Sequence, residues 1–446
     1  MRKQRTRSVL VDTKGRVNCC ERSRREVRGV RCARVDDDFP NIRALRPTIA
    51  RYRLALALLS SVACSGTTTP VSVPSIPSVP SVPSVPTDTV RSSDIVPGVR
   101  HTFRWEVAGP WSIHVVEIDL ARCGIALRTV KALDQLVGRE TTTQLSARLA
   151  GRANRPVFAA VNGDYFSFTP AGYPSGTQVI EGDPLRGYTS RPVFGVTTAS
   201  AAFFGADQLI GSLRSRRGVS AEMRRINEPP DTLRIALYNR FVGARTLDDA
   251  GAVEVIARVT QRALGVGDTV RAVAQSIDTV SAGVAIPSDG VVLAGKGRGA
   301  IYLRANIAVG DTISWVMRFP GAPAPIAEMI AGDPQLLRAG NSLAPFAGTV
   351  AAERHPRTAI AVTSDRKVLL ITVDGRQPGY SVGMTLVELT ALLSRLGARE
   401  AINVDGGGST TMVVNGRVAN RPSDATGERP VANAIGVVGP VAGTCP

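Results

Sequence analysis

Residues 359–396 read AIAVTSDRKVLLITVDGRQPGYSVGMTLVELTALLSRL, two short apolar runs followed by one helical period. The runs Ala359–Thr363 and Val368–Val373 are rich in β-branched and aliphatic residues and bounded by polar and turn-forming ones, which predicts strands. Over Thr385–Leu396 the apolar residues Leu386, Leu389, Leu392, Leu393 and Leu396 share one helical face. Thr385 stands at the N-cap with Glu388 at the capping-box position, and Gly397 is a natural stop.

Working outward, Ser112–Asp119 (SIHVVEID), Val157–Val161 (VFAAV) and Ala434–Val438 repeat the strand pattern, and Thr143–Leu149 suggests a second helix. Between Phe203 and Met317 the chain supplies further strands, including Leu233–Tyr238 and Val253–Val259, with no obvious chemistry. Many strands, few helices and no regular βα alternation indicate an α+β fold, a strand-rich mixed sheet system in one large domain over residues 98–440. The segment 203–317 is read as part of that sheet system, with a separate inserted domain as the alternative.

The ends differ in character. Residues 1–53 hold 16 Lys+Arg against 6 Asp+Glu, which is +10 of the formal charge of +17. The body is therefore only weakly basic, without Lys/Arg interleaved with aromatics, and nucleic acid is not an expected partner. Residues 54–64 run from LALALLSSVA into Cys64 behind Arg46, Arg51 and Arg53, the charged, apolar, small-residue order of an export signal. Ser61-Val62-Ala63-Cys64 is similar to a lipobox, which makes Cys64 a candidate for lipidation and the membrane a partner through that anchor; an ordinary signal peptide is the alternative. The basic leader 1–53 ahead of it reads as a start assigned too far upstream. Residues 65–97 carry Pro at nearly every third position and predict a polyproline-like spacer, and 441–446 form a short tail.

Four polar clusters sit beside apolar strands. Asn162-Gly163-Asp164 follows VFAAV; His355-Pro356-Arg357-Thr358 precedes AIAVT; Asp374-Gly375-Arg376 follows VLLITV; and Asn403-Val404-Asp405-Gly406-Gly407-Gly408-Ser409 ends the conspicuous C-terminal run. Strand ends are where functional loops emerge. Arg357 offers a guanidinium fork suited to phosphate, against a structural ion pair. Gly406, Gly407 and Gly408 leave backbone N–H groups open to an anionic oxygen. The run lacks the Lys of a P-loop, and Ser409 lacks the Gly-x-Ser-x-Gly elbow of a serine esterase. His101, His114, His355, Cys123 and Cys445 show no zinc-ligand spacing.

Taken in order, VNGDYF, AGDPQLL, HPRTAIAV, VDGR, GMTLVELTALLSRLGAREAINVDGGGSTTMVVNG and RPVANAIGVV resemble the phosphodiester glycosidase domain family. The resemblance implies a hydrolase that cleaves a sugar's anomeric bond to a phosphodiester, and the export signal at 54–64 would place that activity on surface or extracellular glycans. An oxocarbenium-like transition state needs a carboxylate, for which Asp405 and Asp164 are the candidates with Asp374 behind them. Departing phosphate needs positive charge and N–H donors, assigned to Arg357, Thr358 and the Gly406–Ser409 amides. Asn162, Gly163 and Asn403 would hold sugar hydroxyls, and Glu328, Asp333 and Arg429 stand behind them. No cofactor is required by the motifs, though clustered Asp residues leave a divalent metal such as calcium open; no EF-hand spacing is present.

Three rival readings remain at this level: a glycosidase acting on surface polysaccharide without a phosphodiester, a non-catalytic glycan-binding lipoprotein, and a metal-dependent phosphodiesterase cutting P–O. In an oxidising compartment Cys123 and Cys445 would pair as a disulfide.

Overall fold

In the computed structural model the described residues are 7–11, 17–21 and 87–440, apart from 188, 207, 208, 248, 264, 281, 282, 321 and 324. The expectations for Cys64, the 65–86 part of the spacer and Cys445 lie outside them, whereas Thr89–Val96 within the expected spacer is a strand of the domain; Cys123 itself is disulfide-bonded. Arg7–Val11 and Val17–Glu21 pair antiparallel as a unit separate from residues 82 onward.

An eight-stranded antiparallel sheet forms the frame. Its order is Asn341–Ser342, Gln335–Arg338, Ala398–Asn403, Arg357–Thr363, Val368–Val373, Trp111–Ile118, Val99–Glu106 and Thr89–Val96. The two strands of the opening stretch are therefore central neighbours, with Ile360 opposite Leu370. Because side chains alternate across a strand, Ile360, Leu370 and Val116 face one side while Ala359, Ile371 and Val115 face the other. The second side is closed by the helix Leu386–Arg395, whose Leu386, Leu389, Leu392 and Leu393 join that core. Its Thr385–Glu388 capping box is formed, as the sequence indicates.

The first side shares a core with a five-stranded antiparallel sheet ordered Arg417–Val418, Met412–Val414, Val157–Asn162, Asn433–Val438 and Ala126–Lys131. The helix Thr142–Ala153 covers that sheet's far face through Leu145 and Leu149. A second five-stranded sheet has Ile326–Ala331 at its centre, and its Phe194 and Ile330 enter the same core.

Most of the segment between Phe203 and Met317, expected as part of the same domain's sheet system with an inserted domain as the alternative, closes into a seven-stranded barrel running from Ile210 to Arg318. Strict alternation explains the closure: in Thr312–Arg318 the residues Ile313, Trp315 and Met317 are buried while their neighbours face outward. The barrel's core is continuous with Val179, Val193, Met329 and Ala331 of the second five-stranded sheet. The fold is thus rich in strands with few helices. No helix among the described residues is long and apolar enough to cross a membrane.

Candidate active site

Two strands of different sheets, Val157–Asn162 and Ala398–Asn403, both end in Asn, and each is followed two residues later by an Asp. The loops that follow them meet: the Asp405 amide donates to the Gly163 carbonyl at 2.9 Å, and Asn162 Nδ2 donates to the Asp405 carbonyl at 2.6 Å. A side chain at Gly163 would press on Asn433 and Ile330, so glycine is what allows this approach. Asp164 and Asp405, 241 positions apart in sequence, are thereby set beside one another.

Asp164 is buried, and neither carboxylate oxygen has a hydrogen-bond partner of normal geometry. Burial pushes its pKa up to about 6, held back by the Arg191 charge and the nearby Tyr165 and Gly176 amides, with Asp405 adding a further push upward. Arg191 Nη2 lies 3.5 Å from Asp164 Oδ1 and 4.0 Å from Asp333 Oδ2. Its guanidinium stands 5.1 Å from the Tyr165 ring centroid. Tyr165 donates to the Asp333 carbonyl at 3.1 Å, and Asn403 Nδ2 donates to Tyr165 Oη at 2.7 Å and to the Asp333 carbonyl at 2.8 Å. Asp405 is also raised to about 6, again by burial, against the pull of Ser409, the Gly406 amide, Arg429 and Arg191.

The other expected residues take different posts. Arg357 is buried, and its guanidinium donates to three backbone carbonyls, Met384 at 2.8 Å, Val350 at 2.6 Å and Glu353 at 2.8 Å. It clamps chain rather than presenting an open fork, and its partners are carbonyls where an ion pair was the alternative. Thr358 donates to Asn162 Oδ1 at 2.8 Å, and Asn162 Oδ1 also accepts from the Thr411 amide at 3.1 Å. Both residues fasten the two sheets together. Asp374 accepts from Ser112 Oγ at 2.9 Å, Asn420 Nδ2 at 2.9 Å, Tyr380 Oη at 3.3 Å and the Arg421 amide at 3.1 Å. Fully occupied, it positions the loop that carries Asn420. Glu328 bonds Thr129 and the Glu181 amide and pairs with Arg128 at 3.4 Å. None of these partners belongs to the Asp164–Asp405 set.

The Gly-rich loop also departs from an open nest. The Gly406 amide donates to Asp405 Oδ1, the Gly407 amide to the Pro356 carbonyl, and the Ser409 amide to the Gly406 carbonyl. The glycines serve close packing instead. A Cβ on Gly408 would stand 2.1 Å from Arg429 Nη2 and 2.2 Å from Asp424 Oδ1. These two form a two-pronged pair, Arg429 Nε to Asp424 Oδ2 at 2.8 Å and Nη2 to Oδ1 at 3.0 Å. Gly407 has a positive φ of 62° and faces the exposed Arg376.

Two side chains that the sequence reading passed over, Arg191 and Tyr165, join the site. Tyr165 stands inside VNGDYF, and Arg191 directly precedes the strand Pro192–Thr197, the same placement that drew attention to Arg357. The described residues contain no group of three or more His, Cys, Asp or Glu side chains gathered as for a metal ion. What the arrangement can do is proton chemistry: the buried Asp164 and the half-buried Asp405, both pushed up to about 6, can supply an acid and a base within a single site.

Comparisons with known proteins bear on this geometry. The family model for phosphodiester glycosidase matches residues 255–438, a span that contains Asp405 and Arg429 but begins after Asp164 and Arg191. The SPbeta prophage-derived protein YomE of Bacillus subtilis is 39% identical over 82 residues, 18% of this chain. The N-acetylglucosamine-1-phosphodiester alpha-N-acetylglucosaminidase of Bos taurus is 40% identical over 68 residues, 15% of this chain. Each alignment spans 12% of the relative's own length. The crystal structure of a hypothetical protein from Synechocystis shares the fold, with a TM-score of 0.62 and 21% identity over 80% of this chain and 64% of that one. The chain therefore resembles the phosphodiester glycosidase family, and the family's model covers its C-terminal part, residues 255–438.

Proposed function

We propose that this chain is a hydrolase that cleaves the bond between a sugar's anomeric carbon and a phosphodiester, with Asp164 and Asp405 as its reacting carboxyls. The carrying observation is their pairing: the buried Asp164 and the half-buried Asp405, on loops of two sheets, each pushed to about 6, with Arg191 beside one and Arg429 acting on the other. With both pushed to about 6, each is only partly ionised near that pH, which allows one to serve as a base while the other serves as an acid.

That division suits the reaction. As the anomeric C–O bond breaks, positive charge develops on the sugar ring, and an ionised carboxylate stabilises it or draws a proton from the attacking water. The bonding electron pair leaves with the phosphodiester oxygen, a weak base that needs charge compensation more than protonation. Arg191 and Arg429 are the cations whose charge acts on the two carboxyls, whereas Arg357 is engaged with backbone. The relative's name specifies an N-acetylglucosamine-1-phosphodiester; that class of substrate is the one proposed here.

Export, action on envelope or extracellular glycans, and anchoring through Cys64 complete the proposal on the strength of the 54–64 pattern. The test is hydrolysis of an N-acetylglucosamine-1-phosphate alkyl diester in isotope-labelled water. Free sugar with an unlabelled phosphate monoester is expected. Label in the phosphate, or no release of sugar, overturns the reading.

A further inference from the structure

The outer wall of the barrel carries chemistry that the proposed reaction does not use. Three adjacent strands, Ile210–Arg214, Thr312–Arg318 and Thr269–Asp278, are paired antiparallel with Arg214 opposite Ser314, Arg271 also opposite Ser314, and Ile210 opposite Arg318. Alternation buries Leu213, Ile313, Trp315 and Ala272 inside the barrel and turns the intervening residues outward. The outward set holds three exposed arginines, Arg214, Arg271 and Arg318, around a floor of Ser212, Ser314 and Thr269. Together they line one groove of about 860 Å³.

The backbone sets the spacing. Arg214 and Arg271 flank Ser314 from the two neighbouring strands, about 10 Å apart, and Arg318 lies four residues farther along, roughly 13 Å away. Among the described residues none of the three makes an ion pair with an acid; Arg271 bonds the neutral Gln261. The acids nearby are occupied elsewhere. Glu222, opposite Ser212, is held by Arg224 at 2.5 Å and Arg234 at 3.3 Å, and Asp311 pairs with Arg216 at 3.5 Å. Asp268 lines a separate cavity, together with Asp183, Arg240 and Arg262, instead of this groove.

We infer that this groove binds an anionic glycan chain, sulfated, phosphorylated or uronic-acid bearing. Three uncompensated guanidiniums in one groove form forks for such oxoanions. Hydroxyl side chains between them match sugar hydroxyls. Base stacking has no platform here, because Trp315 and Phe319, the aromatics of the groove, are buried. None of the groove's residues touches Asp164 or Asp405. The inference rests on the proposed hydrolase reading only in its function, which is to hold a polymeric substrate on the same chain that cuts it.

The experiment compares the wild-type protein with Arg214→Ser/Arg271→Ser/Arg318→Ser, by fluorescence titration with dextran sulfate, neutral dextran and a single-stranded oligonucleotide of matched charge. Wild type is expected to bind dextran sulfate with an affinity that falls as salt rises, to ignore neutral dextran and to bind the oligonucleotide more weakly. The triple variant, with an unchanged melting temperature, should bind dextran sulfate at least about tenfold more weakly. Its hydrolysis of a small soluble sugar-1-phosphodiester should be unchanged. Equal binding by wild type and variant, binding of neutral dextran as tight as sulfated, or preference for the oligonucleotide overturns the inference. Absence of hydrolysis by wild type would instead count against the proposed reaction and leave the binding result standing.

Discussion

Asp164 Oδ1 lies 3.5 Å from Arg191 Nη2, in a pocket of the interior where neither Asp164 oxygen has a normal hydrogen bond. A carboxyl so placed is costly to ionise, and the single facing cation lowers that cost only in part. The consequences can be measured.

The Arg191 charge lowers the pKa of Asp164, so removing it should raise that pKa above its present value of about 6. In Arg191→Met the limb of the pH–activity profile that reports Asp164 should move to higher pH by roughly one unit. A kcat/KM profile that keeps both limbs in place while activity falls would show that Arg191 acts otherwise.

Asp405→Asn should remain folded and lose at least about a hundredfold in turnover, because the charge that answers the developing cation is gone. Circular dichroism with steady-state kinetics checks this. Near-normal turnover in a folded protein would take Asp405 out of the mechanism.

Stability should trade against function at Asp164. Its folded pKa, near 6, is raised above the unfolded value near 4, so the native state holds the proton through that window and its stability declines as pH rises from about 4 to 7. Asp164→Asn removes this term. The melting temperature of the variant minus that of wild type should therefore grow over that window, reaching roughly 2 °C or more at neutral pH, while activity is lost. A difference that stays flat with pH would show that Asp164 is not protonated on folding.

Asp374 presents the opposite case, a buried carboxylate with four donors around it. Asp374→Ala leaves those donors unpaired and should destabilise the protein by about 3 kcal/mol or more, read from denaturant unfolding. Turnover of the folded fraction should fall less than in Asp405→Asn, since Asp374 acts by positioning Asn420 and Arg421.

At Gly408 even one methyl group conflicts with the Arg429–Asp424 pair, so Gly408→Ala should displace Arg429 and raise KM or lower kcat several-fold. Alanine here with unchanged kinetics would show that the pair's placement is immaterial to the reaction.

Local pattern determined much of this protein. Val368–Val373 is the strand its composition indicates, the Thr385 capping box begins its helix, and Val157–Asn162 and Ala398–Asn403 release their Asn-x-Asp loops where apolar runs stop. These are short-range matters of side-chain periodicity, capping and turn chemistry, and they can be read within a dozen residues. The strand-rich class follows for the same reason.

Only the tertiary structure decided what each polar residue does. Arg357 and Arg191 look alike in sequence, each standing at the start of a strand, yet one is spent on three carbonyls and the other faces a buried carboxylate. Asp374 and Asp164 both follow apolar strands, and four donors satisfy the first while the second has none of normal geometry. The barrel's closure likewise depends on pairing Ile210–Arg214 with Thr312–Arg318, about a hundred residues downstream. Hydrogen-bond saturation and burial are properties of neighbours brought from distant parts of the chain, and those neighbours set each pKa and hence each role.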